Sequence, residues 1–107
     1  MVREMSCREL AASLEQSQPI SLLDVREDWE VEICMINNAL HIPLSELQGR
    51  VDELSPDRPL AIICHHGVRS RHAGMLLEEY GFKDVFNVTG GIDIWAIEIE
   101  PDMTRYD

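Results

Sequence analysis

Short apolar, β-branched runs alternate with stretches of helical periodicity along the whole chain, and that alternation leaves few folds open. Ser6 with Glu9 reads as a capping box that opens a helix through roughly Gln16, with Leu10 and Leu14 on one face. Ile20 to Val25 has the length and flanks of a buried strand and ends in Asp24-Val25-Arg26. Glu27 to Ile33 predicts a short helix with Trp29 and Ile33 turned inward, and Ala39 to Ile42 a brief strand stopped by Pro43. Ser45 caps a helix to about Leu54, with Leu47 and Val51 as its apolar positions. Pro59 to Ile63 is the most apolar strand. Val68 to Tyr80 is the clearest helix, with Ala73, Leu76, Leu77 and Tyr80 at core spacing and Gly81 as its stop. Val85 to Val88 reads as another strand, and Gly90-Gly91 turns into a last helix, Ile92 to Ile97, carrying Trp95. Residues from Pro101 to Asp107 read as a loose tail. Strands separated by helices pair in parallel, so the expectation is one α/β domain over residues 1–107, a parallel sheet with helices on both faces.

Length and charge narrow the function. At 107 residues the chain holds one core, and its 45% apolar and 27% charged residues are a globular balance. The net charge of -11 argues against nucleic acid and anionic membrane as partners, since both require a basic surface. Cys7, Cys34 and Cys64 are an odd number without C-x-x-C spacing, which fits a reducing compartment better than a disulfide framework. The start of the chain lacks the apolar run of a signal peptide, and no stretch has the length of a membrane span. The cytoplasm is the expected location.

Cys64 closes the strongest predicted strand, about four residues before the next helix begins. Ligands in open α/β sheets bind beyond the carboxyl ends of strands, and a strand, tight loop and helix N-terminus make an anion site. Such a field favours thiolate over thiol. Gly67 supplies the backbone freedom a closed loop needs, and Arg69 adds a fork of donors suited to an oxyanion. Between Arg58 and Leu77 there is no acid, while Arg58, Arg69, Arg71, His65, His66 and His72 all fall there. Any anion must be drawn in by such a local field, against the global one.

The loop Cys64-His65-His66-Gly67-Val68-Arg69-Ser70 resembles the active-site loop of rhodanese-family sulfurtransferases, C-x-x-G-x-R-S. Two further segments resemble that family in order and spacing. One is Leu22-Leu23-Asp24-Val25-Arg26-Glu27 continuing to Ala39-Leu40-His41-Ile42-Pro43-Leu44, and the other is Gly90-Gly91-Ile92-Asp93-Ile94-Trp95. The resemblance implies a rhodanese-like sheet and a Cys64 that takes the outer sulfur of a donor such as thiosulfate and passes it to cyanide, a small thiol or a protein thiol. It implies binding by His65, His66, Gly67, Val68, Arg69, Ser70 and Arg71, with no cofactor. Met35 and Asn37 stand where the family usually shows His or Gly, and Ile94 where a small residue is common before the tryptophan.

Other readings are weaker. Cys64 as a small buried hydrophobe leaves Gly67 and Arg69 unexplained. Adjacent His65 and His66 on a tight loop point poorly at one tetrahedral ion, so no metal is expected. Cys7 and Cys34 read as structural, Asp24 and Arg26 as a structural ion pair or loop brace, and Trp29 and Trp95 as core aromatics. Cell-cycle dual-specificity phosphatases also resemble this fold, but their loop is C-x5-R, and the C-x4-R here is one residue shorter than a phosphoryl group needs. A regulatory module with a dead site is disfavoured by the intact cysteine, glycine and arginine. A relay that accepts persulfide sulfur from one protein and delivers it to another has the same residues, and the acidic body would suit a basic partner.

Overall fold

In a computed structural model covering residues 1–107, the apolar runs pair into one parallel sheet. The strands are β1 (Arg3–Met5), β2 (Ser21–Asp24), β3 (Leu40–His41), β4 (Leu60–Ile63) and β5 (Val85–Val88), in the order β1-β5-β4-β2-β3. β4 is central and wholly buried, with Ile62 level with Leu23 of β2 and Asn87 of β5. Successive side chains alternate faces, so its residues feed two cores. Leu60 and Ile62 join Leu23, Leu47, Ala73 and Leu77 on one side. Ala61 and Ile63 join Cys7, Leu10, Ile92 and Trp95 on the other.

Helices cover both faces: α1 (Cys7–Leu14), α2 (Asp28–Ile33), α3 (Leu44–Leu47), α4 (Val68–Glu79) and α5 (Gly91–Glu98). The capping box forms as read, with the Ser6 hydroxyl accepting from the Glu9 N–H at 3.0 Å and the Glu9 carboxylate from the Ser6 N–H at 2.8 Å. No helix is long and apolar enough to cross a membrane.

Five expectations need revision. β1 was not foreseen; it is an edge strand that pairs with β5 through its backbone while Arg3 and Glu4 stay exposed, so it carries no apolar run. The helix expected from Ser45 to Leu54 is α3 followed by a 3-10 turn, Gln48–Glu53, interrupted where Arg50 leaves helical geometry. Trp29 is 54% exposed and Ile33 also faces outward, because α2 buries Glu30 instead. Tyr80, expected at a core position, is exposed at the end of α4. Residues 101–107, read as a loose tail, form no strand or helix, but Arg105 is tied to Asp93 of α5 and Tyr106 to Glu30 of α2.

Candidate active site

β4 runs directly into the loop, and Cys64 at its end is buried. Gly67 takes φ +112°, a left-handed geometry that strains any other residue, and turns the chain into α4. This aims the Gly67 N–H at the Cys64 Sγ from 3.0 Å and the Ser70 N–H from 3.3 Å. The Ser70 Oγ lies 3.3 Å from the same sulfur. Its hydroxyl donates to Oδ1 of the buried Asn87 on β5, and the Asn87 amide donates in turn to Glu4 at 3.2 Å. With its proton so engaged, Ser70 accepts from the Cys64 thiol; against a thiolate, the hydroxyl can turn and become a third donor. Asn87 was missed from the sequence, although a buried amide in the strand Val85-Phe86-Asn87-Val88 was the available signal.

The turn after β5 buttresses the loop. The Ile92 N–H donates to the Cys64 carbonyl at 2.8 Å and the Asp93 N–H to the His65 carbonyl at 3.2 Å. A Cβ on Gly91 would lie 2.4 Å from the His65 carbonyl oxygen and 2.5 Å from that of Cys64, so only glycine lets the two backbones meet. Cys7 sits beneath this turn, 3.6 Å from the Gly91 carbonyl. Burial, with the charge of Glu98, pushes its thiol up to about 11 and keeps it protonated at neutral pH.

The charges around the loop are paired. Arg69 donates from Nη1 and Nη2 to the two oxygens of Glu30, at 2.6 and 2.8 Å. This pairing holds its guanidinium above the usual range against the cost of burial, and the charge of Cys64 adds to the effect, so Arg69 shares the field of the sulfur. The Tyr106 hydroxyl donates to Glu30 at 2.7 Å and accepts from Arg26 at 3.1 Å. Arg26, fully buried, is neutralised by Asp24 at 2.7 Å, the ion pair expected of these residues, and it donates to the Cys34 carbonyl at the end of α2 at 2.7 Å. His65 stacks on the Tyr106 ring with centroids 4.0 Å apart, and its Nε2–H donates to the Tyr106 carbonyl at 3.0 Å. Burial and the neighbouring His66 push the His65 pKa down, leaving the ring neutral. His66 and Val68 are exposed at the rim.

Arg71 borders the loop, lining a pocket with His66, Gly67 and Val68, where Glu4 engages it at 2.6 Å. Arg58 lines a groove at the opposite ends of the strands, with Leu14, Asn37 and Leu60, so neither it nor the substituted Asn37 belongs to the loop. The local basic field read from the sequence therefore reduces to Arg69 and Arg71, and Glu30 and Glu4 balance them. Glu30 and Tyr106 were not identified from the sequence.

The assembled loop offers a buried sulfur, converging N–H donors and the N-terminus of a twelve-residue helix, a setting suited to anionic sulfur. Residues 6–98 match the family model for the rhodanese-like domain. The chain is 37% identical to YtwF of Bacillus subtilis over 100 residues, 94% of this chain and 96% of that protein. It is 33% identical to the thiosulfate sulfurtransferase GlpE of Coxiella burnetii over 95 residues, 89% and 88% of the two chains. Its fold superposes on a rhodanese-like domain protein from Staphylococcus aureus with a TM-score of 0.84 at 32% identity, covering 88% of this chain and 91% of that one. With loop, sheet order and sequence in agreement over most of its length, the chain belongs to the rhodanese family of sulfurtransferases.

Proposed function

We propose that this protein moves sulfane sulfur from thiosulfate, or a similar small anionic donor, to a thiophilic acceptor through a persulfide on Cys64. The observation that carries this reading is the convergence of the Gly67 and Ser70 N–H groups on the Cys64 sulfur. The Cys64 thiolate attacks the outer sulfur of thiosulfate. The S–S bond of the donor breaks, its electron pair leaves on sulfite, and the persulfide anion stays on Cys64. Cyanide or a thiolate then attacks the terminal sulfur, and the pair of the second S–S bond returns to Cys64. Donors preorganised toward a developing anion are worth about 3 kcal/mol each by analogy with oxyanion holes. His65, His66 and Val68 shape the entrance, while Arg69, expected to hold the departing sulfite, is occupied by Glu30. Three free thiols suit a reducing compartment, and the cytoplasm is where this chemistry is proposed to run.

The test is the intact mass of the reduced protein after incubation with thiosulfate, with Cys64→Ala alongside. A gain of one sulfur atom, reversed by cyanide or dithiothreitol and absent in the variant, supports the persulfide. No gain removes thiosulfate as the donor.

A second reading, a relay that takes sulfur from a protein persulfide and hands it to another protein, is favoured by the Glu30–Arg69 pair, which leaves the loop without net positive charge for a dianion. Slow thiosulfate turnover beside fast uptake from a cysteine desulfurase supports the relay; the reverse order removes it.

A further inference from the structure

Arg69 is the one guanidinium of the Cys64–Ser70 loop, and its charge is already balanced. Both of its Nη atoms face the Glu30 carboxylate, whose side chain is only 3% exposed. That carboxylate is held on two more sides, by the Glu27 N–H at 2.9 Å and the Tyr106 hydroxyl at 2.7 Å. Burial opposes its ionisation, but the hydrogen bonds from Arg69, Glu27 and Tyr106 outweigh this and carry its pKa down to about 2. Tyr106 is itself fixed by Arg26, by the His65 ring and by an edge-on contact with Trp29 at 5.7 Å. Arg26 and Asp24 balance each other beneath. The charged cluster beside the loop therefore sums to zero at neutral pH, and no member of it is loose.

We propose that Glu30 and Tyr106 are specificity-determining residues of this site: by keeping Arg69 in a closed ion pair, they turn the loop away from dianionic thiosulfate and toward sulfane sulfur on a monoanionic group, such as an organic thiosulfonate or the persulfide of a thiol. The inference rests on the Cys64 persulfide reading. Both donors undergo the same step. Thiosulfate gives the Cys64 persulfide anion and sulfite, and a thiosulfonate gives the same persulfide and a sulfinate, with the electron pair of the broken S–S bond on the leaving sulfur in each case. Any change in the reactivity of Cys64 itself cancels in the ratio of the two rates. What remains is the charge difference between the donors. Coulomb energy scales with ligand charge, so a freed Arg69 helps a dianion by twice the free energy by which it helps a monoanion.

The experiment measures second-order rates of persulfide formation with thiosulfate and with benzenethiosulfonate, at fixed low ionic strength, on the full chain. In Glu30→Gln the thiosulfate rate is expected to rise about tenfold and the thiosulfonate rate about threefold, so that their ratio rises about threefold. Tyr106→Phe keeps the ring on His65 and removes only the hydroxyl donor to Glu30; its ratio is expected to move the same way by about 1.5-fold. Should Glu30→Gln fail to fold, Tyr106→Phe decides alone. Persulfide formation with an unmoved or lowered ratio overturns this proposal and leaves the persulfide reading intact. Absence of persulfide on the wild-type Cys64 with either donor overturns both.

Discussion

At the scale of single residues, the site is held by atoms that leave no room or no alternative partner. A methyl group at position 91 would press on the carbonyl oxygens of Cys64 and His65, both backbone, at φ +63°. Neither carbonyl can retreat without breaking the bonds from Ile92 and Asp93. Gly91→Ala is therefore expected to cost about 3 kcal/mol or more, combining left-handed strain with displacement of the loop, and to remove most activity. Urea midpoints beside persulfide formation check this; a variant with wild-type values in both would show that the turn yields easily. Asp24→Asn leaves the buried Arg26 charge uncompensated and is expected to cost about 3–5 kcal/mol, although Asp24 does not touch the Cys64 sulfur. Residues fixed by local chemistry could be read from the sequence. The cysteine after a strand, Gly67 and Arg69 advertise a loop through their spacing, and Ser70 joins them through the resemblance to the rhodanese loop. Glu30 and Tyr106 could not be, because an acid in a helix rich in acids and an aromatic beyond the last element carry no local mark; long-range hydrogen bonds define both.

At the scale of elements, the same distinction separates what the sequence reveals from what it hides. β4, α4 and the capping box of α1 follow from patterns their own residues complete. α2 has six residues, too few for apolar periodicity to decide which face turns inward. The decision falls to Arg69 of α4, which draws Glu30 in and leaves Trp29 out. The pairing also makes α2 sensitive to acid. The folded Glu30 titrates at about 2, below the ordinary 4.5, so the unfolded chain binds its proton first as the pH falls. The stabilisation is complete above pH 4.5 and is lost as the pH drops through that interval toward 2, amounting to about 2 kcal/mol after allowance for solvent screening. Denaturant midpoints for wild type and Glu30→Gln, followed from pH 6 to pH 2, are expected to converge as the pH falls. Parallel curves would mean that the carboxylate contributes no pH-dependent stability.

At the scale of the whole molecule, the charge of -11 opposes the proposed donor, which is itself an anion. The loop has no free cation to offset it: Arg69 faces Glu30, Arg71 faces Glu4, and Arg58 lies at the far ends of the strands. The radius of gyration is 12.6 Å, shorter than the Debye length of roughly 20 Å at about 20 mM salt and longer than the roughly 7 Å at about 200 mM. In dilute buffer the whole acidic body therefore repels an incoming dianion, whereas at the higher salt only charges near the mouth are felt. The loop N–H groups and the α4 dipole act within a few ångströms and survive that screening. Raising the salt over this range is expected to speed persulfide formation from thiosulfate by about fivefold, and from a monoanionic thiosulfonate by about twofold, since the repulsion scales with donor charge. Stopped-flow rates at matched pH, with the ionic strength set by an inert salt, make the comparison. A thiosulfate rate that falls with salt would mean that an attractive local field at the loop outweighs the body, which in turn would require Arg69 to leave Glu30 when the donor arrives.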